Sequence, residues 1–148
     1  MTQFKDKVAI VTGGGRDIGR EISLKLAAAG AKVCINYAND EASAQETLKQ
    51  VEAAGGTAIV HRADVTDAKA VAAMVAATQA AFGPQIDLLV NVARGMVQHR
   101  PLAEIDQAVF HKATDLNLSS VYLTPHAVVP HIPETAPTLD FASPAGPA

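Results

Sequence analysis

The stretch VAIVTGGGRDIG, residues 8–19, is an apolar run that leads into three glycines and then into a helical pattern. It predicts a buried strand, a tight turn and the first turn of a helix. The first backbone N–H groups of a helix lack intrahelical partners and carry the positive end of the helix dipole, and glycines allow a ligand to approach the backbone. We therefore expect a phosphate-bearing ligand at this turn.

The glycine turn matches neither of two common nucleotide-binding patterns. The dinucleotide pattern GxGxxG has Ile18 where its third glycine belongs. The P-loop pattern has Arg20-Glu21 where it needs Lys followed by Ser or Thr, which disfavours nucleoside triphosphate chemistry. A tight turn without any ligand is the alternative that the turn alone leaves open.

Composition and charge exclude several classes of protein. With 148 residues, 49% of them hydrophobic, the chain has the size and the apolar content of one α/β domain. Its net charge of −3 provides no basic surface for nucleic acid. No apolar run reaches the ~18 residues of a membrane span, and the N-terminal residues lack the apolar core of a signal peptide. We expect a cytoplasmic protein that binds neither nucleic acid nor membrane.

The cysteine and histidine residues give no sign of a metal site. The lone Cys34 lies between Val33 and Ile35, which predicts a buried structural thiol in a reducing compartment. The five histidines occur without HExxH spacing and without partner cysteines. No metal ligand is predicted.

Strands and helices alternate along the chain. The predicted strands are residues 7–12, 32–36, 57–61, 86–91 and, as a candidate fifth, 138–141. Strands this apolar must be covered on both faces, which predicts an α/β fold, a Rossmann-like doubly wound parallel sheet that stops after the fifth strand. The ligand site is expected beyond the carboxyl ends of the strands. We expect this domain to cover residues 1–142 and a frayed tail to cover 143–148.

Four helices are predicted, each with an apolar face and some with a clear start. Asp40, and either Thr66 or Asp67, are expected to cap the second and third helices. The fourth, over about 106–129, contains Pro125, which costs ~3 kcal/mol or introduces a kink. The inward faces predicted for the first three helices are Ile18, Ile22 and Leu26; Ala44, Leu48 and Val51; and Val71, Val75, Thr78 and Phe82.

Four short motifs stand in the order in which the short-chain dehydrogenase/reductase family has them. They are Thr12-Gly13-x-x-x-Asp17-Ile18-Gly19, Asp64-Val65, Asn91-Val92-Ala93, and Asn117 within Asp115-Leu116-Asn117-Leu118. Through them the chain resembles that family from the first strand to about Ser143. The resemblance implies a nicotinamide cofactor and hydride transfer, in carbonyl reduction or in the oxidation of secondary alcohols.

The resemblance also implies which residues hold the cofactor. The pyrophosphate would lie on the glycine turn, Asp64 and Val65 would flank the adenine, and Asn91 and Ala93 would line the groove. The candidate cofactor-binding residues are Gly13, Gly15, Arg16, Ile18, Gly19, Tyr37, Asp64, Val65, Asn91 and Ala93.

Charge near the end of the second strand favours NADP over NAD. A ribose 2′-hydroxyl calls for an acidic acceptor there, and Asn36-Tyr37-Ala38 supply none. Arg16 stands where relatives that prefer the phosphorylated cofactor often carry a basic residue, and a guanidinium binds phosphate as a fork. We therefore predict NADP, with NAD as the alternative.

Two residues depart from the family pattern. Asp17 replaces the second glycine and places a carboxylate at the phosphate turn, where Arg16 or Arg20 is expected to neutralise it. Arg94 replaces the glycine expected after Asn-x-Ala, and Gly95 follows at once. The first departure bears on the affinity for the cofactor rather than on the fold.

Only part of the family's catalytic set is present. The resemblance makes Asn117 the relay asparagine and Ser143 the serine that holds the carbonyl oxygen. The Tyr-x-x-x-Lys pair is missing, because neither Tyr37 nor Tyr122 has a lysine four residues further on. The hypothesis that follows is an N-terminal portion of a longer reductase, or the product of a truncated or frameshifted reading frame.

Three classes of function stay open. The chain is an NAD(P)-dependent oxidoreductase of a small-molecule carbonyl or alcohol, a non-catalytic dinucleotide-binding module, or a domain for another nucleotide-like ligand such as S-adenosylmethionine. Arg16 and Asn91-Val92-Ala93 disfavour the third. A homo-oligomer is expected, since the family pairs through the helix that contains Asn117. Without a partner subunit, this helix would expose the apolar side chains of Leu118, Val121, Leu123 and Val128.

Overall fold

The computed structural model describes residues 3–95 and 101–134, which build a parallel four-stranded sheet flanked by helices. The strands are β1 (Val8–Thr12), β2 (Lys32–Tyr37), β3 (Thr57–Arg62) and β4 (Leu88–Asn91). Their spatial order is β3-β2-β1-β4 and every pairing is parallel. The predicted doubly wound sheet is confirmed for these four strands. The strand order reverses between β1 and β4, which is where such sheets bind ligands.

The helices follow the strands in the predicted alternation. They are α1 (Asp17–Ala28), α2 (Glu41–Ala53), α3 (Ala68–Phe82), α4 (Gln107–Thr114) and α5 (Ser120–Val128). A π-helical turn, Asp115–Ser119, joins α4 to α5, and short 3-10 turns lie at Leu102–Glu104 and Val129–His131. None of the helices in the described part of the chain is long and apolar enough to cross a membrane.

Two apolar cores lie on the two faces of the sheet because successive strand residues point to opposite sides. On one face, Ile10 and Cys34 pack with residues of α3 and with Val128 of α5. On the other face, Val11 and Val33 pack with residues of α1 and α2. Cys34 is the buried thiol that the sequence predicts, and burial raises its pKa to about 11.

The inward face of α1 differs from the prediction. The fully buried residues are Gly19, Ser23 and Ala27, each one position after the predicted set, while the predicted Ile22 and Leu26 pack partly buried against the core. Ile18 is 53% exposed, so its assignment to the core face was wrong. Small residues fill this face because α1 packs tightly against the glycine turn; a Cβ at Gly19 would overlap the carbonyl oxygen of Gly13.

The other helix faces agree more closely with the sequence. In α2, Ala44 and Val51 are buried, but Thr47 takes the central position predicted for Leu48. In α3, the predicted Val71, Val75 and Thr78 are buried together with Met74, and Phe82 packs beside them.

Both predicted helix caps are present in the structure. The Asp40 side chain accepts a hydrogen bond from the Ser43 N–H at the start of α2. At the start of α3, the Asp67 side chain accepts one from the Lys69 N–H. Asp67 rather than Thr66 therefore caps the third helix.

Pro125 lies inside α5 without ending it. The predicted helix over about 106–129 instead changes its hydrogen-bonding pattern earlier, in the π-helical turn at Asp115–Ser119. Such wide turns often lie at functional positions in helices. The candidate fifth strand at 138–141, Ser143 and the tail at 143–148 lie outside the described residues.

Candidate functional site

The turn after β1 depends on two glycines at which a side chain would press against neighbouring backbone. Gly13 has a φ of +62°, and a Cβ there would lie 3.0 Å from the backbone N and Cα of Ala93. Gly19 closes the turn, since a Cβ on it would overlap the Gly13 carbonyl oxygen. The loop after β4 and the start of α1 therefore approach the turn as closely as backbone allows. Because these positions carry no side chain, a ligand can approach the N-terminus of α1.

Asn36, at the end of β2, holds the turn in place. Its side-chain oxygen accepts a hydrogen bond from the Gly13 N–H at 3.2 Å, and its carbonyl accepts one from the Gly14 N–H at 2.9 Å. Its amide nitrogen donates to the Ala63 carbonyl at 3.0 Å. Sequence reasoning missed this role, although a polar residue directly after the apolar Val33-Cys34-Ile35 was a usable signal.

Thr12 connects the turn to the loop after β4. Its hydroxyl oxygen accepts hydrogen bonds from the Val92 and Ala93 N–H groups, each at 3.1 Å. The hydroxyl also lies 3.5 Å from the Val90 carbonyl oxygen, to which it donates. One buried side chain thus satisfies two backbone donors of the loop and fixes its distance from the turn.

Arg20 is a structural residue of the turn. Its guanidinium donates to the Thr47 hydroxyl at 2.8 Å and to the carbonyls of Gly15 and Ser43 at 3.3 and 3.2 Å. Thr47 donates in turn to the Gly15 carbonyl at 2.7 Å. These bonds tie the turn to α2.

Arg16 and Asp17 carry the exposed charges of the turn. The Arg16 guanidinium lies 3.7 Å from the Asp17 carboxylate, so Arg16, rather than Arg20, is the neutralising residue. Asp17 has a φ of +49°, in the left-handed region where the family pattern has a glycine. Aspartate is one of the few residues besides glycine that adopt this conformation at small cost, which explains how the turn keeps its shape.

A cavity of about 540 Å³ opens over this turn at the carboxyl ends of the strands. It brings together most of the predicted cofactor-binding residues: Gly13, Gly15, Arg16, Ile18, Gly19, Tyr37, Asp64, Val65 and Ala93. Ile18, exposed to solvent and absent from the core, contributes to the wall of this cavity. Arg94 and Leu116 also line it.

Two predicted site residues do not line the cavity. Asn91 is buried, and its side-chain oxygen accepts a 2.6 Å hydrogen bond from the Thr124 hydroxyl of α5. Asn117 lies in the π-helical turn, where its side chain accepts a hydrogen bond from the Gly95 N–H at 3.3 Å and donates one to the Gly95 carbonyl at 3.0 Å. Asn117 therefore joins α4 and α5 to the loop after β4, beside the cavity.

The Asp64 carboxylate is hydrogen-bonded within its own loop. It accepts hydrogen bonds from the Thr66 hydroxyl at 2.7 Å and from the Thr66 N–H at 2.9 Å. These two bonds hold the pKa of Asp64 below its usual value. The side chain shapes the loop after β3, and the neighbouring Val65 gives the cavity a buried apolar wall.

Asp40 is an acidic group in the cavity that the sequence predicted only as a helix cap. Its carboxylate lies 4.0 Å from the Arg16 guanidinium, on the side formed by residues 36–40. The Ser43 N–H hydrogen bond holds the pKa of Asp40 below its usual value. The approach of Arg16 and Asp40, 24 positions apart in sequence, depends on how the starts of α1 and α2 meet.

The fold is Rossmann-like: parallel strands, a glycine turn, and a helix N-terminus beside a cavity at the point where the strand order reverses. The sequence model of the family described as short chain dehydrogenase matches residues 7–138. The chain belongs to this family.

Relatives and solved structures support the same family. An uncharacterized oxidoreductase of Methylorubrum extorquens is 34% identical over 143 residues, covering 97% of this chain and 57% of the relative. A 3-oxoacyl-(acyl-carrier-protein) reductase of Synechocystis sp. is 38% identical over 128 residues, covering 86% of this chain and 51% of the relative. A short chain dehydrogenase of Burkholderia cenocepacia, solved in complex with NADP, superposes with a TM-score of 0.87 at 33% identity, covering 93% of this chain and 56% of that one.

The chain thus spans about half the length of the curated relatives it matches.

Proposed function

We propose that this chain is the cofactor-binding part of an oxidoreductase that transfers hydride between NADP(H) and a small-molecule carbonyl or secondary alcohol. The observation that carries the proposal is the cavity over the glycine turn, where a helix N-terminus and Arg16 face the same space. Both favour an anionic ligand. The NADP bound by the similar Burkholderia structure supports this choice of cofactor.

The residues of the cavity fit a dinucleotide. The pyrophosphate would approach the backbone at Gly13, Gly15 and Gly19, where side chains would otherwise stand in the way. Val65 would contribute apolar surface beside the adenine, with Asp64 next to it. When bound, the cofactor supplies or accepts the hydride.

NADP and NAD differ at the adenosine ribose, so the residues at that end of the cavity would determine which of the two binds. Tyr37 and Arg16 line this end, and the Arg16 side chain is 67% exposed, so a ligand in the cavity can reach the guanidinium. Its fork of N–H donors matches the oxygens of a 2′-phosphate. NADP is therefore the proposed cofactor and NAD the alternative.

On the catalytic side, we propose Asn117 as the relay asparagine, together with Ser143. Asn117 is supported by its position in the π-helical turn, where it is bonded to the Gly95 backbone next to Arg94 of the cavity wall. Asn91 acts in this proposal as a positioning residue, because its side chain bonds to Thr124 behind the loop.

A non-catalytic dinucleotide-binding module is the second candidate function. No Tyr-x-x-x-Lys sequence occurs within the 148 residues, and a free tyrosine with a pKa near ~10 needs a neighbouring cation to act as an acid at neutral pH. Purified protein mixed with NADPH and a panel of ketones distinguishes the two. Cofactor binding without absorbance loss supports the module, and turnover above the buffer rate supports the oxidoreductase.

A cytoplasmic location and self-association complete the proposal. The free, buried Cys34 thiol fits a reducing compartment. Self-association is supported by the exposed apolar side chains on α4, α5 and the turns beside them.

Arg16→Ala tests the proposed cofactor. We expect the dissociation constant of NADPH to rise about tenfold and that of NADH to change less than about twofold, since only NADPH carries the phosphate that the guanidinium would bind. Titration of cofactor fluorescence measures both constants. Lys49→Ala, which removes an exposed cation of α2 outside the cavity, is the matched control. Equal weakening of the two cofactors by Arg16→Ala would contradict the choice of NADP.

A further inference from the structure

The charges that line the cavity favour a cation over an anion, although the proposed ligand is an anion. Among the described residues of its wall, the charged ones are the carboxylates Asp17, Asp40 and Asp64 and the guanidinium groups of Arg16 and Arg94. The Arg16 guanidinium lies 3.7 Å from the Asp17 carboxylate and 4.0 Å from that of Asp40, so one cation faces two carboxylates. Arg94 is the second source of positive charge for a ligand in this cavity.

The backbone on both sides of Arg94 is held by hydrogen bonds from side chains. Before it, the Ala93 N–H donates to the Thr12 hydroxyl at 3.1 Å. After it, the Gly95 N–H donates to the side-chain oxygen of Asn117 at 3.3 Å, and the Gly95 carbonyl accepts the Asn117 amide at 3.0 Å. The loop after β4 therefore presents the residue between these anchors at a defined place on the cavity wall.

That place is beside the glycine turn. A Cβ at Gly13 would lie 3.0 Å from the backbone N and Cα of Ala93, the residue directly before Arg94. The Arg94 side chain is exposed and lines the same cavity as the first residues of α1. A guanidinium can bind phosphate oxygens through two parallel N–H bonds. A pyrophosphate at the N-terminus of α1 would share its cavity with such a group.

Asp17 and Arg94 are also the two residues that depart from the family pattern, which has a glycine at each position. The two departures carry opposite charges and line one cavity. The Asp17 carboxylate repels a phosphate at the glycine turn, and a guanidinium in the same space attracts it. One departure thus offsets the effect of the other on an anionic ligand.

We propose that Arg94 is a binding residue for the cofactor pyrophosphate, and that its charge compensates for the carboxylate that Asp17 adds to the glycine turn. The proposal rests on the proposed function, since it requires a dinucleotide in this cavity. It makes the affinity depend on residues 17 and 94 together, with the charge of each acting in the opposite direction.

The first experiment measures the dissociation constant of NADH by fluorescence titration of the purified chain. NADH lacks the 2′-phosphate, so the contact proposed for Arg16 does not contribute. We expect Arg94→Gln to weaken NADH binding about tenfold and Asp17→Asn to tighten it severalfold. The double variant should return to within about threefold of wild type, because the two effects oppose each other. Lys49→Gln, which removes an exposed cation outside the cavity, is the matched control and should leave the constant unchanged.

A second ligand identifies the part of the cofactor that Arg94 binds. ADP-ribose contains the pyrophosphate and lacks the nicotinamide, and its affinity can be measured by displacement of NADH. Arg94→Gln should weaken ADP-ribose by the same factor as NADH. Arg94→Lys keeps the charge and should retain most of the affinity for both ligands. Circular dichroism melting curves report whether each variant is folded.

Several results would overturn this role of Arg94 while leaving the proposed function intact. They are NADH binding unchanged by Arg94→Gln, a loss for NADH without a loss for ADP-ribose, and an Arg94→Lys variant that binds as weakly as Arg94→Gln. A double variant that binds as weakly as Arg94→Gln alone would overturn the compensation between residues 17 and 94. Wild-type protein that binds neither NADH nor NADPH would overturn the proposed function itself.

Discussion

At the scale of single residues, Asp17 is the most unusual feature of the turn. It combines a left-handed backbone with a carboxylate at the N-terminus of α1, where a phosphate would bind. For a residue other than glycine this conformation costs roughly 1 kcal/mol. The helix dipole offsets part of that cost, because a negative side chain is favourable at this end. The Asp17 carboxylate therefore stabilises the turn without a ligand, and it would repel a phosphate bound there.

Replacing this residue by glycine should improve cofactor binding. Asp17→Gly removes a negative charge beside the pyrophosphate and releases Arg16 from its 3.7 Å contact. We expect the dissociation constants of NADPH and NADH both to fall several-fold, as measured by the same fluorescence titration. Asp17→Asn separates the effect of charge from that of backbone strain, since asparagine also tolerates the left-handed region. Weaker binding of both cofactors by Asp17→Gly would show that the carboxylate assists the ligand.

Single residues also show where the sequence is informative and where it is not. The glycine turn, Arg16 and the caps at Asp40 and Asp67 could be read from local pattern, because each depends on residues a few positions away. The role of Arg20 could not, and for Asn36 the sequence signalled only an unusual polar position, since the partners of both lie at distant positions in the chain. Pairings of that kind follow from how elements pack, which a local pattern does not contain.

At the scale of elements, Asp87, which directly precedes β4, connects this strand to the start of β1 by hydrogen bonds. It is 4% exposed, and its carboxylate accepts hydrogen bonds from Lys7 Nζ at 2.9 Å, Gln85 Nε2 at 2.6 Å and the Val8 N–H at 2.9 Å. Burial alone would raise the pKa of Asp87, but the hydrogen bonds outweigh it and hold the pKa below its usual value. The charged form of Asp87 is therefore the one that stabilises the fold.

Asp87→Ala should lower the free energy of unfolding by about 2 kcal/mol at pH 7, since it leaves the Val8 N–H without its carboxylate partner. A lowered folded-state pKa means that this contribution is complete above the unfolded-state value near ~3.9 and is lost as pH falls through the folded-state value. Urea unfolding at several pH values should show the gap between wild type and variant narrowing below about pH 4.

Lys7→Met serves as the control for the ion pair alone. The Lys7 side chain is 47% exposed, so its removal should cost less than about 1 kcal/mol. A gap between wild type and Asp87→Ala that stayed constant with pH would contradict the stabilising role of the carboxylate charge.

Helix faces were predicted less accurately than strands. Where apolar residues are consecutive, as in β1 and the centre of β2, burial is insensitive to a shift of one residue. In α1 the fully buried residues are Gly19, Ser23 and Ala27; of the predicted face, Ile22 and Leu26 pack partly buried against the core and Ile18 is exposed. The error lies at the first turn of α1, where a Cβ at position 19 would overlap the Gly13 carbonyl oxygen, a constraint that an apolar stripe does not reveal.

At the scale of the whole molecule, an apolar surface lies along the α4–α5 segment. Its exposed members are Phe110, Leu118, Tyr122 and Val129. The sequence predicted this surface around Leu118, but Val128, expected in it, is fully buried against α3 and the sheet. Ser120 and Thr124 share that buried side of α5, so the helix faces the sheet with one side and leaves the other uncovered.

Leu118→Lys combined with Tyr122→Lys should therefore reduce self-association. Both side chains are about two-thirds exposed, at 67% and 66%, so the changes should leave the fold intact. Sedimentation velocity should show wild-type protein heavier than its 15.3 kDa chain and the double variant closer to that mass. Glu52→Lys, on the exposed side of α2, controls for added positive charge. Wild-type protein that sediments as a monomer at micromolar concentration would contradict the expectation.

The proposed function requires that a dinucleotide bind over the turn between β1 and α1. It is tested most directly by ¹H–¹⁵N correlation spectra of the labelled protein during titration with NADPH. We expect the amide signals of Gly13, Gly15, Gly19 and Val65 to shift together and saturate, while that of Val51, a buried residue of α2 outside the cavity, stays in place. Signals of the turn that remain unmoved at saturating NADPH, or shifts confined to other parts of the molecule, would contradict it.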